Sequence, residues 1–257
     1  MKIALLGYGK MGRIIEQLAT TQGAEIVLKV DASNRADITT TDLQQADVAI
    51  EFSRPEAAVE NIKLGLAAGI PVVCGTTGWL AELPQVQAAV AQQAGGFFYA
   101  SNFSIGVNVF FALNKYLAQL MQRVEGYTVS LSETHHTQKL DAPSGTAITL
   151  AEGILSASSR LNQWQLKEEV WLDPMPTGHE VTELTTRLAG DSLPITSYRQ
   201  KEVPGTHQIT YQSMQDSIRI EHQAHSREGF ALGALAAARW MIGKQGIFGM
   251  EDMLGKG

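Results

Sequence analysis

Short apolar runs rich in Val, Ile, Leu and Phe recur through the first hundred residues, at 2–6, 25–31, 47–53, 71–75 and 97–102. Each has the length and composition of a buried strand. Between them, 11–20, 55–68 and 83–94 place apolar residues at helical spacing among good helix formers. Pro55 just after Ser53 suits a capped helix start, and Gly69-Ile70-Pro71 marks a stop before the next strand. This alternation with short connections predicts an α/β fold built on a doubly wound parallel sheet with right-handed crossovers.

Beyond residue 102 the pattern changes. A helix over 108–123 carries Val109, Leu113, Tyr116, Leu117 and Leu120 on one stripe. Tyr127, Val129 and Leu131 then alternate with Thr128, Ser130 and Ser132, the two-residue period of a half-buried strand. Residues 147–155 read as a helix, 207–212 and 217–224 as a hairpin turning near Gln215-Asp216, and 228–244 as an Ala-rich helix. Weaker strand patterns fall at 181–188 and 195–199. Strands that follow one another without helices predict a second, α+β domain with a mixed or antiparallel sheet. The expected division is 1–102, completed by the C-terminal helix of 226–257, and 103–225.

Composition narrows the function. The 257 residues hold 20 Lys+Arg against 26 Asp+Glu, a formal net charge of −6, with 44% hydrophobic and 18% charged residues. That is a globular composition with room for a core, and it disfavours duplex nucleic-acid binding, which needs clustered cations. Any site for an anion must be local. One cysteine, Cys74, excludes an intramolecular disulfide and a Cys-rich metal site. No apolar run approaches the length of a membrane span, and the N-terminus enters a strand pattern rather than a signal peptide. A soluble protein of the cytoplasm is expected.

Gly7-Tyr8-Gly9-Lys10-Met11-Gly12 lies where the first strand turns into the first helix. In this G-x-G-x-x-G spacing Gly7 allows the tight turn, Gly9 lets backbone N–H groups approach a pyrophosphate, and Gly12 lets helix and sheet pack closely. Asp31 closes the second strand 19 residues beyond Gly12, where a carboxylate accepts from ribose hydroxyls and repels a 2′-phosphate. NADH is therefore the expected cofactor, with Lys10 or Arg35 leaving NADPH open. Gly75-Thr76-Thr77-Gly78 and Ala100-Ser101-Asn102-Phe103 follow two further strands, so both loops should face the same ligand. Within Val72-Val73-Cys74, the cysteine reads as buried rather than as a nucleophile.

Residues 133–147 are the most unusual stretch: Glu133-Thr134-His135-His136-Thr137-Gln138-Lys139-Leu140-Asp141-Ala142-Pro143-Ser144-Gly145-Thr146-Ala147. Adjacent His135 and His136 point to opposite faces of an unbroken strand, so both serve one site only if the strand ends there. Pro143 is expected to open a helix whose first N–H groups, at Gly145 and Thr146, can receive a carboxylate. Lys139 adds a compact positive charge. A zinc site joining His135 and His136 to His207, His222 and His225 is disfavoured, since His222 and His225 lie in a strand pattern and no H-E-x-x-H motif exists.

These segments, with Glu51-Phe52-Ser53-Arg54-Pro55, Ser104-Ile105-Gly106-Val107-Asn108, Ile195-Thr196-Ser197-Tyr198-Arg199, Gly205-Thr206-His207 and His222-Gln223-Ala224-His225-Ser226-Arg227, resemble the dihydrodipicolinate reductase family over nearly the whole chain. The resemblance implies an NAD(P)H-dependent reductase of diaminopimelate and lysine biosynthesis. It implies a Rossmann domain and a second domain that carries the substrate site and a homotetramer interface. By motif, His135 would donate a proton, with Lys139 sharing that role. His136, Lys139, Ser144, Gly145 and Thr146 would bind a small dicarboxylate, and Gly7–Gly12, Asp31, Gly75–Thr77 and Ala100–Phe103 the cofactor. No metal is implied. The first turn is one residue shorter than the family's common form, and Ala32 stands where NADPH-tolerant members often carry Arg.

Overall fold

The computed structural model describes residues 1–173 and 190–255. The strand pattern at 181–188 lies outside them. The chain divides into two compact units, Met1–Asn108 with Glu228–Gly257, and Val109–Arg227.

The first unit alternates β1 (Lys2–Leu6), α1 (Lys10–Ala19), β2 (Glu25–Val30), α2 (Thr40–Leu43), β3 (Val48–Glu51), α3 (Pro55–Ala67), β4 (Val72–Cys74), α4 (Leu83–Gln93) and β5 (Gly96–Tyr99). Its six strands pair in the order β11-β5-β4-β3-β1-β2, all parallel, with β11 at Gly246–Phe248. This is the doubly wound, Rossmann-like sheet that the alternation predicts. Cores lie on both faces. One gathers Ile3, Leu5, Ile50, Val73 and Phe98 against α1 and α7 (Glu228–Met241); the other gathers Ala4, Leu6, Val72 and Phe97 against α3 and α4. Helix α7 lies close because Gly233 has no side chain: a Cβ there would sit 1.7 Å from the Phe103 carbonyl oxygen. The short β11 and α8 (Met250–Leu254) carry too few residues to show a period, and the sequence pattern does not register them.

Helix α5 spans Ile105–Met121, and most of the apolar stripe seen in the sequence lies on its exposed side. Phe110, Asn114, Ala118 and Met121 are buried, whereas Val109, Leu113, Tyr116 and Leu120 are exposed. The helix is apolar on most of its circumference. The buried side is fixed by Asn114, whose amide donates to the Leu150 carbonyl at 2.9 Å.

The second unit adds β6 (Thr128–His135), α6 (Gly145–Leu155), β7 (Gln163–Trp171), β8 (Ser192–Arg199), β9 (Gly205–Gln212) and β10 (Ser217–Ala224). Its sheet runs β10-β9-β6-β8-β7 and is mixed: β6 pairs parallel to β8 and antiparallel to β9. On one face of the sheet, Leu131, Ile195 and Ile209 stand side by side and pack on Ala147, Leu150 and Ala151 of α6. Two residues further along β6, the same face turns polar.

Candidate active site

The carboxyl ends of β1, β2 and β3 enclose a cavity of about 310 Å³ lined by Gly7, Gly9, Asp31, Arg35, Arg54 and Asn61, among others. The glycine turn builds its floor. Gly7 adopts φ +107°, and a Cβ there would lie 2.1 Å from the Phe52 carbonyl oxygen; a Cβ at Gly12 would lie 2.5 Å from the Gly7 oxygen. A Cβ at Gly9 would meet nothing within 4 Å, so this residue faces open space. Gly9 is also the N-cap of α1 and offers no side-chain cap to the first-turn amides. Free amides at a helix N-terminus suit a pyrophosphate, so these residues fit a dinucleotide. Lys10 is exposed and Met11 half-buried beside them. The Tyr8 hydroxyl donates to Glu16, while Arg13 and Lys29 lie 5.2 and 5.0 Å from its ring centroid. Lys29 also pairs with Glu16 at 3.1 Å, so that carboxylate partly balances the cations around the Tyr8 ring.

Asp31 accepts from the Ser33 N–H at 2.8 Å and the Ser33 hydroxyl at 2.6 Å, which hold its carboxyl below the ordinary range. Behind the cavity wall, buried Glu51 ties several loops together. It accepts from the Ser53 hydroxyl, from the Ser53 N–H at 3.1 Å, from Asn61 at 3.3 Å and from the Cys74 thiol at 3.2 Å. Asn61 in turn accepts from Arg35 Nε. Cys74 is fully buried, and burial followed by the Glu51 charge pushes its thiol up, against any role as a thiolate nucleophile.

The two remaining loops follow β4 and β5. Gly75 packs under the Phe52 ring so closely that a Cβ there would lie 2.1 Å from Cε1 of the ring. Thr76 is buried, its hydroxyl accepting from the Ser53 N–H at 2.8 Å, while Thr77 is exposed. Ala100 and Phe103 are core residues, the Phe103 ring centroid lying 5.6 and 5.8 Å from those of Phe52 and Phe98. Ser101 is exposed, and Asn102 Oδ1 accepts from the Ser104 N–H at 2.9 Å. Of these four, Ser101 and Asn102 keep side chains outside the core.

In the second unit β6 ends at His135, and the Lys139 N–H donates to the His136 carbonyl at 3.1 Å, closing a turn. His135 is buried and His136 half-buried. Helix α6 starts at Gly145, two residues beyond Pro143, because Ser144 is its N-cap and accepts from the Ala147 N–H at 3.2 Å. That bond uses the third amide and leaves those of Gly145 and Thr146 to other acceptors. Gly145 is exposed, with nothing within 4 Å of its Cβ position. The Lys139 ammonium is paired, at 2.7 and 2.9 Å from the two Asp141 carboxylate oxygens.

Strand register explains what surrounds His135. One step beyond the apolar row, Glu133 stands between Ser197 and His207; the next row holds His135 beside Arg199. Glu133 is buried, and its oxygens accept from the Ser144 N–H at 3.0 Å, the Ser144 hydroxyl and the Ser197 hydroxyl at 2.8 Å. His207 Nε2 and His135 Nδ1 lie 3.6 and 3.5 Å from Oε2. Burial pushes the Glu133 carboxyl up, but bonds from His207, Ser144 and Ser197 with the nearby His135 outweigh it and bring it to about 2. Burial pushes His135 down to about 4, against the attraction of Glu133. Glu133, His135 and His207 each bring a ligand-type atom within 4.8 Å of the others. His222 lies instead against Phe110, ring centroids 6.0 Å apart, and His225 is exposed.

Residues 1–103 match the family description of the dihydrodipicolinate reductase N-terminus and residues 106–254 that of its C-terminus. The chain belongs to the dihydrodipicolinate reductase family. It is 47% identical over 256 residues to the 4-hydroxy-tetrahydrodipicolinate reductase of Christiangramia forsetii, covering 99% of this chain and 98% of that one. The enzyme of the same name from Ralstonia nicotianae is 32% identical over 279 residues, covering 99% and 100%. The dipicolinate-bound dihydrodipicolinate reductase of Paenisporosarcina sp. TG-14 superposes with a TM-score of 0.74 at 24% identity over 98% of each chain, a likeness of fold. As a member of this reductase family, the chain is an oxidoreductase that uses a pyridine nucleotide. Sequence reasoning about such a reductase missed Glu133 as a site residue, although period-two alternation already put Leu131, Glu133 and His135 on one face. It also missed Asn61, which α3 brings to the cavity and which carries no signal in the sequence.

Proposed function

We propose that this chain reduces 4-hydroxy-tetrahydrodipicolinate to tetrahydrodipicolinate in the diaminopimelate route to lysine. The observation that carries the reading is the convergence of a buried imidazole, a lysine and a helix start with open amides on residues 135–146 of a reductase-family chain. The substrate is a cyclic imine dicarboxylate. Lys139 and the amides of Gly145 and Thr146 hold one carboxylate, His136 engages the substrate beside them, and Ser144 fixes the helix start. The cofactor, when bound, supplies a hydride. After loss of the hydroxyl, hydride addition leaves an enamine-like anion, and His135 stabilises it and protonates the ring carbon.

His135, held near 4 without ligand, is neutral at pH 7 until the substrate's negative charges favour the imidazolium. Its proton therefore becomes available when substrate is present. NADH is the preferred cofactor in this reading, because Asp31 stays ionised beside the ribose position and Ala32 supplies no cation; NADPH is used less well. Oxidation of each nucleotide with freshly generated substrate tests both points. A lower KM for NADH is expected, and no substrate-dependent oxidation of either nucleotide would end the reading.

The reading includes a homotetramer in the cytoplasm. The exposed Val109, Leu113, Tyr116 and Leu120 stripe on α5 supports association, since a run of large apolar residues on one helix face is uncommon on a monomer. Light scattering should give four chains per particle; a single-chain mass would refute the assembly. Among the described residues no helix is long and apolar enough to cross a membrane.

A further inference from the structure

The proposed proton donor is backed by a carboxylate that the reaction itself does not require. A buried charge is expensive in free energy, and a well-packed apolar residue at position 133 would continue the row of Leu131. Instead Glu133 is held by Ser197 and the Ser144 N–H at Oε1 and by the Ser144 hydroxyl at Oε2, and this second oxygen also faces both imidazoles. On the opposite side of His135 stands Gly205. A Cβ on this glycine would lie 3.1 Å from His135 Nε2 and 3.3 Å from Cδ2, so the missing side chain keeps space open beside that nitrogen.

We propose that Glu133 is the positioning residue of the proton donor: its carboxylate receives the His135 Nδ1–H, selects one tautomer, and leaves Nε2, on the side kept open by Gly205, to pass the proton. In this structure Nδ1 is buried and makes no hydrogen bond, and the Glu133 carboxylate 3.5 Å away is the acceptor the proposal assigns to it. In the cycle, the imidazolium gives its Nε2 proton to the substrate carbon and returns to the neutral Nδ1–H form, while Glu133 stays ionised. A base or acid oriented by a third group is the logic of a catalytic triad, here with the proton moving towards carbon. The other charged or titratable groups around His135 are Arg199 from β8, His207 from β9 and Lys139 from the following turn. Arg199 pairs with Glu169 at 3.0 Å and more distantly with Glu133 at 3.9 Å, so Glu133 serves both the donor, at 3.5 Å, and this arginine.

This inference rests on the proton-donor reading of His135, but part of its test does not need turnover. Long-range proton–nitrogen NMR on the ligand-free full chain, assigned by comparison with His135→Gln, should show His135 with Nδ1 protonated and Nε2 bare. The opposite tautomer would overturn the proposal whether or not the substrate assignment holds. Glu133→Gln should lower kcat by roughly 10²-fold, leave NADH affinity by fluorescence unchanged, and move the alkaline limb of kcat to lower pH, because the imidazolium loses its counter-charge. An unshifted limb in a folded Gln variant would sink the idea. Should that variant not fold, Glu133→Asp keeps the charge but draws it back by one methylene, and should lower kcat while shifting the alkaline limb less than Gln would; wild-type kcat there would equally overturn it. A wild-type enzyme inactive on this substrate would remove the functional reading and leave the tautomer result standing alone.

Discussion

Replacing His135 with Gln is expected to lower kcat by about 10²–10⁴ while the KM values for substrate and nucleotide stay near those of the wild type. The side chain is buried between Glu133, His207 and Arg199, and the carboxylate-holding elements in the proposal are Lys139 and the start of α6. Glutamine approximates the imidazole in reach and polarity but cannot carry a proton to carbon. The loss should therefore fall on the step in which the enamine-like anion is protonated, and little on binding, which is the pattern of an interaction made mainly in the transition state. The wild-type rate should fall as pH rises through the His135 pKa in the substrate complex, a value above the ligand-free 4 because the dicarboxylate favours the cation. In the variant that limb should vanish. Steady-state kinetics across pH checks both statements, and a variant with wild-type kcat would remove His135 from the donor role.

Much of the fold was legible because periodicity and packing agree. In the first unit the central strands β1, β3, β4 and β5 are buried on both faces, so an unbroken apolar run was enough, and the glycine turn marked where strand gives way to helix. β7 shows the opposite case. Its sequence, Gln163-Trp164-Gln165-Leu166-Lys167-Glu168-Glu169-Val170-Trp171, has no clean alternation, since it is an edge strand with a register shift between Leu166 and Glu168. Helix α5 shows a stripe of Val109, Leu113, Tyr116, Leu117 and Leu120, and its period alone does not say which side faces the core; the tertiary partner of Asn114 shows that the other side is buried.

The site divides along the same line. The order of residues along 135–146 was visible as chemistry because a strand end, a turn and a helix start follow one another locally. Glu133 was hidden by the expectation that charges are exposed. Its burial depends on Ser197 and His207, residues 64 and 74 positions away that only the sheet register brings alongside. Asp141 was hidden in another way: it lies within the motif itself, yet sequence cannot show that it already occupies the lysine.

That occupation sets the second large effect, the loss of both kcat and substrate affinity in Lys139→Ala. Without ligand, the Lys139 ammonium sits between the two Asp141 oxygens at 2.7 and 2.9 Å, and the Asp141 side chain is 60% exposed. Although the Lys139 side chain is only 20% exposed, a pair whose carboxylate faces water contributes little, about 0–1 kcal/mol, so a substrate carboxylate can take the ammonium over with a small penalty. A charge-assisted bond to that carboxylate is worth about 1.5–3 kcal/mol, or roughly 10–10² in affinity. Removing the ammonium should raise KM by about that factor. It should also lower kcat, because a ring held by the helix amides alone presents its carbon less accurately to the donor, and orientation contributes to the barrier. Lys139→Arg should recover part of the binding and less of the rate, since a planar guanidinium places its charge differently from a compact ammonium. Nucleotide affinity measured without substrate should not change. Wild-type KM and kcat in Lys139→Ala would show that the ammonium serves Asp141 and not the substrate.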